Sequence, residues 1–379
     1  MNTSENITFK KVKIVVLISF LPKQGPVQVV FDTIKNIDFS IFDVSIVTFK
    51  KEYKNSIMEH FENLPIKIVK LNETGKLNIL NSYQELKIFV INNQIEIVHS
   101  HCFTSLLLNK FLKNVKSVHT IHIYPGLQNV AMKGYLIGNI MNAFTKWLIK
   151  QIQTPIACSE SVRDALQIED AIKVGCIQNG VSSLVKPDIS KHDLKKNLNL
   201  DPNFKYFISV GRFSKEKNFT FLVEHFMKLN LIGCKLIILG EGILYNQVAS
   251  VVDESVILPG FKHNVSDYLF ASDYYISSSL TEGMPLSVLE AMSAGLPILL
   301  SNIQPHKEIF KKTGNKEIGF TYNFDNETDF ENKTNKLLTK DYSFLQENVI
   351  AIYNDWFSAE KMSKEYQKQY LSLTNKKYD

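Results

Sequence analysis

An arginine and a lysine stand five residues apart after an apolar run that is typical of a buried strand. The run is 206–210, and the segment after it contains Gly211, Arg212 and Lys217. A guanidinium group can bind two oxygens of a diphosphate at once, and a lysine ammonium adds a mobile positive charge. Gly211 has no side chain, so the backbone can approach such a ligand closely. The pattern indicates a diphosphate-binding turn, with a basic surface turn as the alternative.

A second polar segment, residues 277–297, also follows a strand-like run. Pro285 suits the first turn of a helix and Gly295 suits its end. A helix that begins there presents unpaired N–H groups and the positive end of its dipole, and both attract phosphate. Glu282 falls in the loop and Glu290 in the helix, where carboxylates can bind sugar hydroxyls. The alternatives are a capping carboxylate for Glu282 and a solvent-exposed helix position for Glu290.

Four histidines lie at or near the ends of two strand-like runs in the first half, at His99, His101, His119 and His122. His99 and His101 alternate onto one face of a strand, so a zinc site is one interpretation. Zinc needs three or four convergent ligands with ordered partners of their own, and no nearby Asp, Glu or Cys set completes such a group. The sequence favours packing roles for His99 and His119 over a metal site.

Short apolar runs alternate with helix-length segments along the whole chain, which predicts parallel sheets with crossover helices. The strand-like runs are 14–18, 44–49, 66–71, 97–99, 118–121 and 155–157 in the first half, and 206–210, 235–239, 256–258, 274–277 and 297–300 in the second. A polar, basic stretch over 186–196 is the candidate linker. The fold class predicted is therefore α/β, with two doubly wound halves.

Two helix-length segments carry apolar stripes. Residues 133–152 place one apolar face at spacings of three and four. Residues 356–373 carry Met362, Tyr366 and Tyr370 at steps of four, which predicts an amphipathic terminal helix that covers a surface. A solvent-exposed tail is the alternative for this last segment.

The composition excludes several classes of protein. The 379 residues suit two or three domains of roughly 100 to 200 residues, and 45% hydrophobic with 21% charged residues excludes disordered and coiled-coil chains. The net charge of +5 permits an anionic ligand or lipid surface but does not indicate a nucleic-acid partner. No apolar run is long enough to cross a bilayer. Four scattered cysteines without a CxxC pair suit a reducing compartment, so a cytoplasmic location is predicted.

Three elements together resemble the retaining glycosyltransferases of family 4, which have the GT-B fold. They are the GRxxxxK element at 211–217, the pair Glu282 and Glu290 within EGxPxSxxEAMxxGxP, and the Gln-Asn-Gly-Val segment at 178–181. The resemblance implies two doubly wound domains that face a central crevice. An acceptor-binding domain over 1–185 would be joined by the terminal helix at 356–379, and a nucleotide-sugar-binding domain would span 186–355.

The resemblance also implies roles for individual residues. Arg212 and Lys217 would hold the donor diphosphate, Glu282 the hydroxyls of the donor sugar and Glu290 the ribose. The other positions implied for the donor are Gly25, Gly211, Gly260, Phe261, Lys262, Gly283, Met284, Pro285, Leu286 and Ser287. Pro26 departs from the family pattern, because it has no N–H donor at a place where the family usually has a glycine-rich loop.

The Thr120-Ile121-His122 segment resembles a T-x-H element in which the histidine reaches the transferred sugar. His122 therefore joins Arg212, Lys217 and Glu282 as a catalytic candidate. The resemblance implies no metal and no other cofactor, since the arginine and lysine take the place of the ion.

The activity implied by the resemblance is transfer of a sugar, with retention, from a nucleotide-sugar donor to a hydroxyl of a glycan or lipid-linked glycan. A UDP-sugar is favoured, and bacterial surface polysaccharide synthesis is the expected setting. Lys133, Lys146 and Lys150 flank Trp147 in segment 133–152, so this segment either rests on an anionic membrane or packs against the first sheet. A membrane contact would place the protein at the inner face of the cell membrane.

Two other functional classes remain open. A sugar-nucleotide 2-epimerase shares the architecture but lacks the EGxPxSxxEAM loop, and free epimerised nucleotide sugar would identify it. A non-catalytic partner subunit of another transferase has no reason to keep the full set of Arg212, Lys217, Glu282 and Glu290.

Overall fold

The computed structural model describes residues 10–52, 56–71, 78–126, 129, 134–326 and 328–374. The chain divides into two compact units, a first unit of residues 1–179 with 359–379 and a second unit of residues 180–358. The sequence alone placed these divisions at 185/186 and 355/356. Within the described ranges, no helix is both long and apolar enough to cross a bilayer.

The first unit is built on a seven-stranded parallel sheet with the order β3-β2-β1-β4-β5-β6-β7. Its strands are β1 (Val12–Leu17), β2 (Phe42–Thr48), β3 (Lys67–Lys70), β4 (Ile97–His101), β5 (Lys116–Ile121), β6 (Thr154–Ala157) and β7 (Gly175–Cys176). The central strands are buried on both faces, which is why they read as continuous apolar runs. The strand order reverses between β1 and β4, where open α/β sheets bind ligands.

Helices connect these strands. They are α1 (Gly25–Lys35), α2 (Met58–Glu62), α3 (Ile79–Asn92), α4 (Phe103–Phe111), α5 (Tyr135–Ile149) and α6 (Glu160–Asp170). Two begin at side-chain caps, since Asn78 accepts from the Asn81 N–H and Ser159 from the Val162 N–H. Helix α5 is the helix predicted over 133–152, of which Lys133 lies outside the described residues.

The second unit contains a six-stranded parallel sheet with the order β10-β9-β8-β11-β12-β13. Its strands are β8 (Lys205–Val210), β9 (Cys234–Leu239), β10 (Val256–Gly260), β11 (Tyr274–Ser277), β12 (Ile298–Ser301) and β13 (Gly319–Tyr322). Here the order reverses between β8 and β11. Both sheets are doubly wound and parallel, so the predicted fold class is confirmed.

The helices of the second unit flank this sheet. They are α7 (Lys191–Asn197), α8 (Phe219–Lys228), α9 (Tyr245–Ala249), α10 (Val265–Ala271), α11 (Leu286–Ser293), α12 (Gln304–Lys311), α13 (Asp329–Leu338) and α14 (Tyr342–Ile352). A short 3₁₀ turn spans Lys215–Lys217, and a π-helical turn spans Tyr353–Phe357.

The prediction of a linker over 186–196 was wrong in its second half, because α7 occupies it. Ser190 caps this helix by accepting from the Asp193 N–H. Leu194 is buried, and the Lys195 ammonium donates to the Phe204 carbonyl at 2.7 Å. A capped turn with one apolar anchor is enough to fold a stretch that reads as polar and basic.

The terminal helix, α15 (Ala359–Ser372), belongs to the first unit. The predicted stripe of Met362, Tyr366 and Tyr370 is buried, so the amphipathic terminal helix is confirmed. Its predicted start at 356 was wrong, because the backbone is π-helical at that point and extended at Ser358. The helix packs against α1, and Ser363 Oγ donates to the Thr33 carbonyl at 2.7 Å.

Hydrogen bonds tie α15 to the sheet through a buried histidine. The Tyr370 hydroxyl lies 2.7 Å from His99 Nδ1, and His99 Nε2 lies 2.8 Å from Thr120 Oγ1. Thr120 Oγ1 in turn lies 2.8 Å from the Tyr366 hydroxyl. A buried imidazole therefore joins two tyrosines of the last helix to the centre of the sheet.

Burial lowers the pKa of the histidines around this network. The pKa of His99 and of His101 lies well below 6.5, and that of His119 falls to about 3, since desolvation penalises the charged imidazolium. Their mutual repulsion lowers these pKa values further. The histidines are therefore neutral at physiological pH, and His99 and His119 are packed as the sequence indicated.

Acid should destabilise the protein through these neutral histidines. Below about pH 6.5 the unfolded chain takes up protons on them while the folded chain does not, so the free energy of unfolding falls as the pH is lowered. Each such histidine contributes about 1.4 kcal/mol per pH unit. Urea unfolding between about pH 7 and pH 5 should give a shallower pH dependence for His99→Gln than for the wild type. The exposed control His192→Gln should keep the wild-type slope, and an equal slope in His99→Gln would contradict this account.

Candidate functional site

The reversal of strand order in the second sheet brings the two predicted constellations together. The turn after β8 carries Arg212 and Lys217, and the loop after β11 carries Glu282. Because β8 and β11 are parallel neighbours, both loops leave the same edge of the sheet side by side. This edge of the second unit is the candidate site.

A row of glycines forms the backbone surface beside this edge. Gly211 follows β8, Gly240 follows β9, and Gly260 ends β10. The Gly211 N–H donates to the Leu239 carbonyl and the Gly240 N–H to the Gly260 carbonyl, each at 3.0 Å. A Cβ on Gly240, whose φ is +140°, would overlap the Gly211 carbonyl oxygen, so only glycine fits there. Sequence reasoning missed Gly240, although a glycine directly after an apolar run is its signal.

Lys217 and Glu282 form a close ion pair across the two loops. Lys217 Nζ lies 2.6 Å from Glu282 Oε1, and the Ser279 hydroxyl donates to the same oxygen at 2.7 Å. The two side chains are only 20% and 15% exposed. Gly211 makes room for the pair, because a Cβ there would lie 3.0 Å from Lys217 Cε. The sequence named both residues but gave no sign that they pair.

The electrostatics of the pair keep both groups charged. Burial by itself would lower the pKa of Lys217 and raise that of Glu282. The opposite charge of each partner and the hydrogen bond between them outweigh burial, so the pKa of Lys217 is raised and that of Glu282 is lowered. The ammonium has three N–H donors, so two remain for ligand oxygens beside the one given to Glu282.

Arg212 is in a different situation from Lys217. Its side chain is exposed and forms no hydrogen bond or ion pair within the part of the chain that the structure describes. The turn thus presents one cation already neutralised by a carboxylate and one available to an incoming anion.

The two loops are clasped by further hydrogen bonds. Ser278 Oγ donates to the carbonyl oxygens of Lys217 and Asn218, at 2.8 and 3.1 Å. The Leu280 N–H donates to the Glu216 carbonyl at 2.8 Å. These contacts hold the lysine and the glutamate at a fixed separation, and the sequence did not indicate them.

Helix α11 begins directly after the glutamate loop. Gly283, Met284 and Pro285 are buried, and the helix starts at Leu286 with no acidic residue in its first turn. The Tyr275 hydroxyl donates to Ser287 Oγ at 2.8 Å, which ties this first turn to β11. The open N–H groups of the turn make the end of the sheet more attractive to anions. Glu290, which is partly exposed, lies one turn further along α11.

A buried histidine that the sequence did not single out supports the glutamate loop. Ser301 Oγ donates to the Ser279 carbonyl at 2.6 Å, and His306 Nδ1 lies 2.8 Å from the Ser301 carbonyl. Burial lowers the pKa of His306 to about 4, although the charge of Glu282 acts in the opposite direction. His306 is therefore a neutral packing element behind the loop.

The remaining donor candidates of the second unit lie two strands away. Gly260 ends β10 with a φ of +76°, which favours glycine, and Lys262 is partly exposed. The Phe261 ring is 46% exposed and meets the His263 ring edge to face at 4.9 Å. This loop thus presents an aromatic ring and exposed backbone at a place separate from the ion pair.

The candidates of the first unit lie at its own point of strand reversal and beside it. Gly25 is exposed and opens α1, with Pro26 in the first turn. His122 follows β5, and its Nε2 lies 3.0 Å from His101 Nδ1. Burial lowers the pKa of His122 to about 4, so it is neutral. Among the described residues, no group of three or more His, Cys, Asp or Glu side chains is placed to hold a metal ion.

Two family models match the chain. One described as Glycosyltransferase Family 4 matches residues 25–183, and one described as Glycosyl transferases group 1 matches residues 190–354. The chain belongs to the family 4 glycosyltransferases. Between them the two models cover most of the chain, and the second includes the whole of the ion-pair site.

Several curated glycosyltransferases are similar in sequence. A UDP-Gal:alpha-D-GlcNAc-diphosphoundecaprenol alpha-1,3-galactosyltransferase of Escherichia coli is 29% identical over 62% of this chain and 64% of its own length. A 4-alpha-N-acetylgalactosaminyltransferase of Campylobacter jejuni, named for an undecaprenol diphosphate-linked substrate, is 29% identical over 32% of this chain and 34% of its own. The matched region spans less than two thirds of either relative. An O-antigen biosynthesis glycosyltransferase of E. coli aligns over 95% of this chain and 98% of its own, at 23% identity.

Solved structures share the architecture. A glycosyltransferase of Rickettsia africae matches with a TM-score of 0.76 at 17% identity, over 97% of this chain and 100% of that one. The Anabaena HepE protein, solved with UDP and glucose, matches with a TM-score of 0.78 at 15% identity, over 95% and 100%. At these identities the likeness shows the fold, and that fold is GT-B.

Removing one partner of the Lys217–Glu282 pair should leave a charge in a poorly hydrated place. We expect Lys217→Met or Glu282→Gln each to lower the free energy of unfolding by roughly 2 kcal/mol. The double variant should cost less than the sum of the two, with a coupling on the order of 1 kcal/mol. Urea unfolding measures all three. The exposed neighbour Lys215→Met should change stability by less than about 0.5 kcal/mol, and strictly additive singles would rule out the coupling.

Proposed function

We propose that the protein transfers a sugar from a UDP-sugar to a hydroxyl of a lipid-linked glycan, with retention of anomeric configuration. The observation that carries the proposal is the Lys217–Glu282 pair beside the unpaired Arg212, at the strand reversal of the second sheet. This arrangement offers cations for a diphosphate and a carboxylate for sugar hydroxyls within one edge of one sheet. Membership of a glycosyltransferase family supports the same reaction.

The second unit is the proposed donor-binding domain. Arg212 and the two remaining N–H donors of Lys217 bind the diphosphate oxygens, and the open end of α11 around Leu286 and Ser287 adds backbone donors. Glu282, held by Lys217 and Ser279, accepts from the hydroxyls of the donor sugar. The glycine surface lets the ligand lie against the backbone.

Further along the same edge, Glu290 receives the ribose hydroxyls, and the backbone of Gly283, Met284 and Pro285 borders the sugar. Gly260, Phe261 and Lys262 form the proposed base site, where the exposed ring offers a stacking surface. In the first unit, the proposed acceptor-binding domain, Gly25 and His122 are the residues we propose for the donor phosphates and the transferred sugar, respectively.

The chemistry follows from the charge that develops on the leaving group. The bond between the anomeric carbon and the phosphate oxygen breaks, and negative charge grows on UDP while the sugar becomes oxocarbenium-like. Arg212, Lys217 and the helix N–H groups stabilise that charge in place. The acceptor oxygen forms the new bond on the face that UDP leaves, and its proton passes to the departing phosphate oxygen. Glu282 fixes the sugar by its hydroxyls through both events.

The nature of donor and acceptor is proposed from relatives. The E. coli relative is named for UDP-galactose and a diphosphoundecaprenol-linked sugar, and the C. jejuni relative is an N-acetylgalactosaminyltransferase named for a diphospho-undecaprenol substrate. We infer a UDP-linked galactose or N-acetylgalactosamine donor and a polyprenyl diphosphate-linked acceptor. The relative that aligns over nearly the whole chain is named for O-antigen biosynthesis, which fits a surface polysaccharide product.

Loss of a cation from the turn should reduce turnover. We expect Arg212→Ala and Lys217→Ala to lower kcat by about a hundredfold or more, because each removes a charge-assisted contact to the leaving group. UDP release from UDP-galactose and UDP-N-acetylgalactosamine, with a polyprenyl diphosphate-linked sugar as acceptor, measures the effect. Lys215→Ala, an exposed lysine of the same turn, is the matched control and should keep near-wild-type turnover.

Normal turnover in Arg212→Ala would refute the role of the unpaired cation. Release of an epimerised nucleotide sugar without any acceptor product would instead identify an epimerase. No reaction with any UDP-sugar, together with no rise in melting temperature on their addition, would refute donor binding.

We also propose that helix α5 rests on an anionic membrane surface. Its large apolar side chains are exposed to an unusual degree, namely Tyr135, Leu136, Ile137, Ile140, Phe144 and Trp147. The sequence from residue 97 to 159 contains no Asp or Glu but six lysines, of which Lys113, Lys116 and Lys150 are exposed. An apolar helix face within a purely basic stretch fits the interface of an anionic bilayer. This contact would place the protein at the inner face of the cell membrane.

Vesicle binding tests the membrane contact. We expect co-sedimentation with phosphatidylglycerol-containing vesicles to weaken by about thirtyfold or more in Ile140→Glu/Trp147→Glu, since each of the two carboxylates costs on the order of 1 kcal/mol or more in a buried apolar contact. A matched pair of exposed isoleucines in the second unit, Ile232→Glu/Ile243→Glu, should bind as the wild type does. Equal binding by both double variants would remove α5 from consideration.

A further inference from the structure

The first unit contains a cavity of about 250 Å³ beside β5 and α5. It is open on one side and lined mainly by apolar side chains, among them Phe103, Leu106, Ile121, Met141 and Ile149. At the volume of a water molecule in the liquid, about 30 Å³, the space corresponds to roughly eight small heavy groups. The cavity is therefore large enough for one or two isoprene units of a hydrocarbon chain.

Several polar side chains of the cavity wall are already engaged with the protein. The Tyr124 hydroxyl donates to Asp170 Oδ2 at 2.9 Å and accepts from the Lys146 ammonium at 3.0 Å. Thr145 Oγ1 donates to the Met141 carbonyl at 2.7 Å. Further hydrogen bonds run from Asn142 Nδ2 to the Gly126 carbonyl, from Asn129 Nδ2 to Asn142 Oδ1, and between His119 Nδ1 and Ser100 Oγ.

A hydrated sugar would find few free partners in such a space, and burying its hydroxyls unpaired is costly. A hydrocarbon chain has no polar groups, so its burial leaves no hydrogen bond unmade. The chemistry of the wall therefore favours an apolar occupant over a glycan.

The cavity is continuous with the exposed face of α5. Met141, Thr145 and Ile149 line the cavity at helical steps of four, and the adjacent row of the same helix contains Ile137, Ile140, Phe144 and Trp147. The Phe103 ring of the cavity wall meets the Phe144 ring at 5.9 Å, and Phe144 stacks on Trp147 at 5.7 Å. Apolar surface thus runs without interruption from the cavity to the surface of the unit.

The chain segments that supply the cavity wall are rich in lysine. Residues 97–159, which supply β4, α4, β5 and α5, carry six lysines and no acidic side chain. Lys110 lies in the last turn of α4 and Lys113 follows the helix, whose first residues line the cavity. Lys146 contacts Tyr124 of the cavity wall and is paired with Asp170, so the choice of a chain that ends in a diphosphate comes from the proposed acceptor.

We propose that this cavity holds the isoprene units nearest the diphosphate of a polyprenyl diphosphate-linked acceptor. The exposed row of α5 carries the continuing chain toward the bilayer. The inference rests on the proposed function, because it names the part of the acceptor that the first unit recognises. It assigns the cavity to the lipid, and leaves the sugar of the acceptor to the polar end near His122.

Binding of a short analogue tests this without any donor. Isothermal titration calorimetry compares geranyl diphosphate, which has two isoprene units, with inorganic diphosphate, which has none. The wild type should bind geranyl diphosphate at least tenfold more tightly. Thr145→Phe fills the cavity and should abolish that preference, and Thr145→Leu, a smaller change, should reduce it. Ala143→Phe places the same ring on the exposed side of α5 and should keep the preference. Circular dichroism melting checks that each variant is folded.

The following results would overturn the proposal or the proposed function. Equal affinities of the wild type for the two probes would overturn the proposal, and so would a preference that survives in folded Thr145→Phe and Thr145→Leu. A preference that is lost equally in Ala143→Phe would place the chain on the surface of α5 and also overturn it. Sugar transfer from UDP-sugars without any preference for the geranyl chain would refute the cavity while the proposed function stands. Geranyl binding without transfer would refute the function alone.

Discussion

The neighbouring positions of β8 and β11 are the constraint on which the candidate site depends. The loops that follow two parallel strands lie at the same edge of the sheet. Because β8 and β11 are neighbours, Lys217 Nζ and Glu282 Oε1 lie 2.6 Å apart, although the two residues are sixty-five positions apart in the sequence. Ser278 then fixes the two loops by bonding to backbone carbonyls rather than to the charged groups. The backbone thus sets the geometry of the pair, and the side chains remain available to a ligand.

The two cations of the turn differ in what surrounds them. Lys217 is partly buried and shares its charge with a carboxylate, whereas Arg212 faces solvent. An exposed guanidinium acts on a distant anion within the range that salt screening allows, while a paired ammonium acts only at contact. The site therefore separates long-range attraction from local orientation, although both residues belong to one short motif.

Local signals explain what the sequence could predict. The apolar run 206–210 matches β8 to within one residue, and Pro285 marks the start of α11 because proline is compatible with a helix end. Both depend on neighbours in the chain. The pairing of Lys217 with Glu282, the need for glycine at Gly240 and the position of His306 depend on strand order and on backbone approach, which no local pattern encodes. Helix α7 was missed although its signals are local, because its one buried leucine gives too weak a hydrophobic periodicity.

The chain leaves the first unit at residue 179 and returns to it at residue 359. Tyr366 and Tyr370 can therefore cover β4 and β5 of the seven-stranded sheet only after residues 359–379 have been translated. A ribosome adds residues at about 5 to 20 per second, so the gap amounts to roughly ten seconds or more after β7 has emerged. During that time the amino-terminal half is an incomplete domain with an open apolar face, while the 180–358 segment can fold as an uninterrupted piece. The order of synthesis thus favours a second unit that matures before the first.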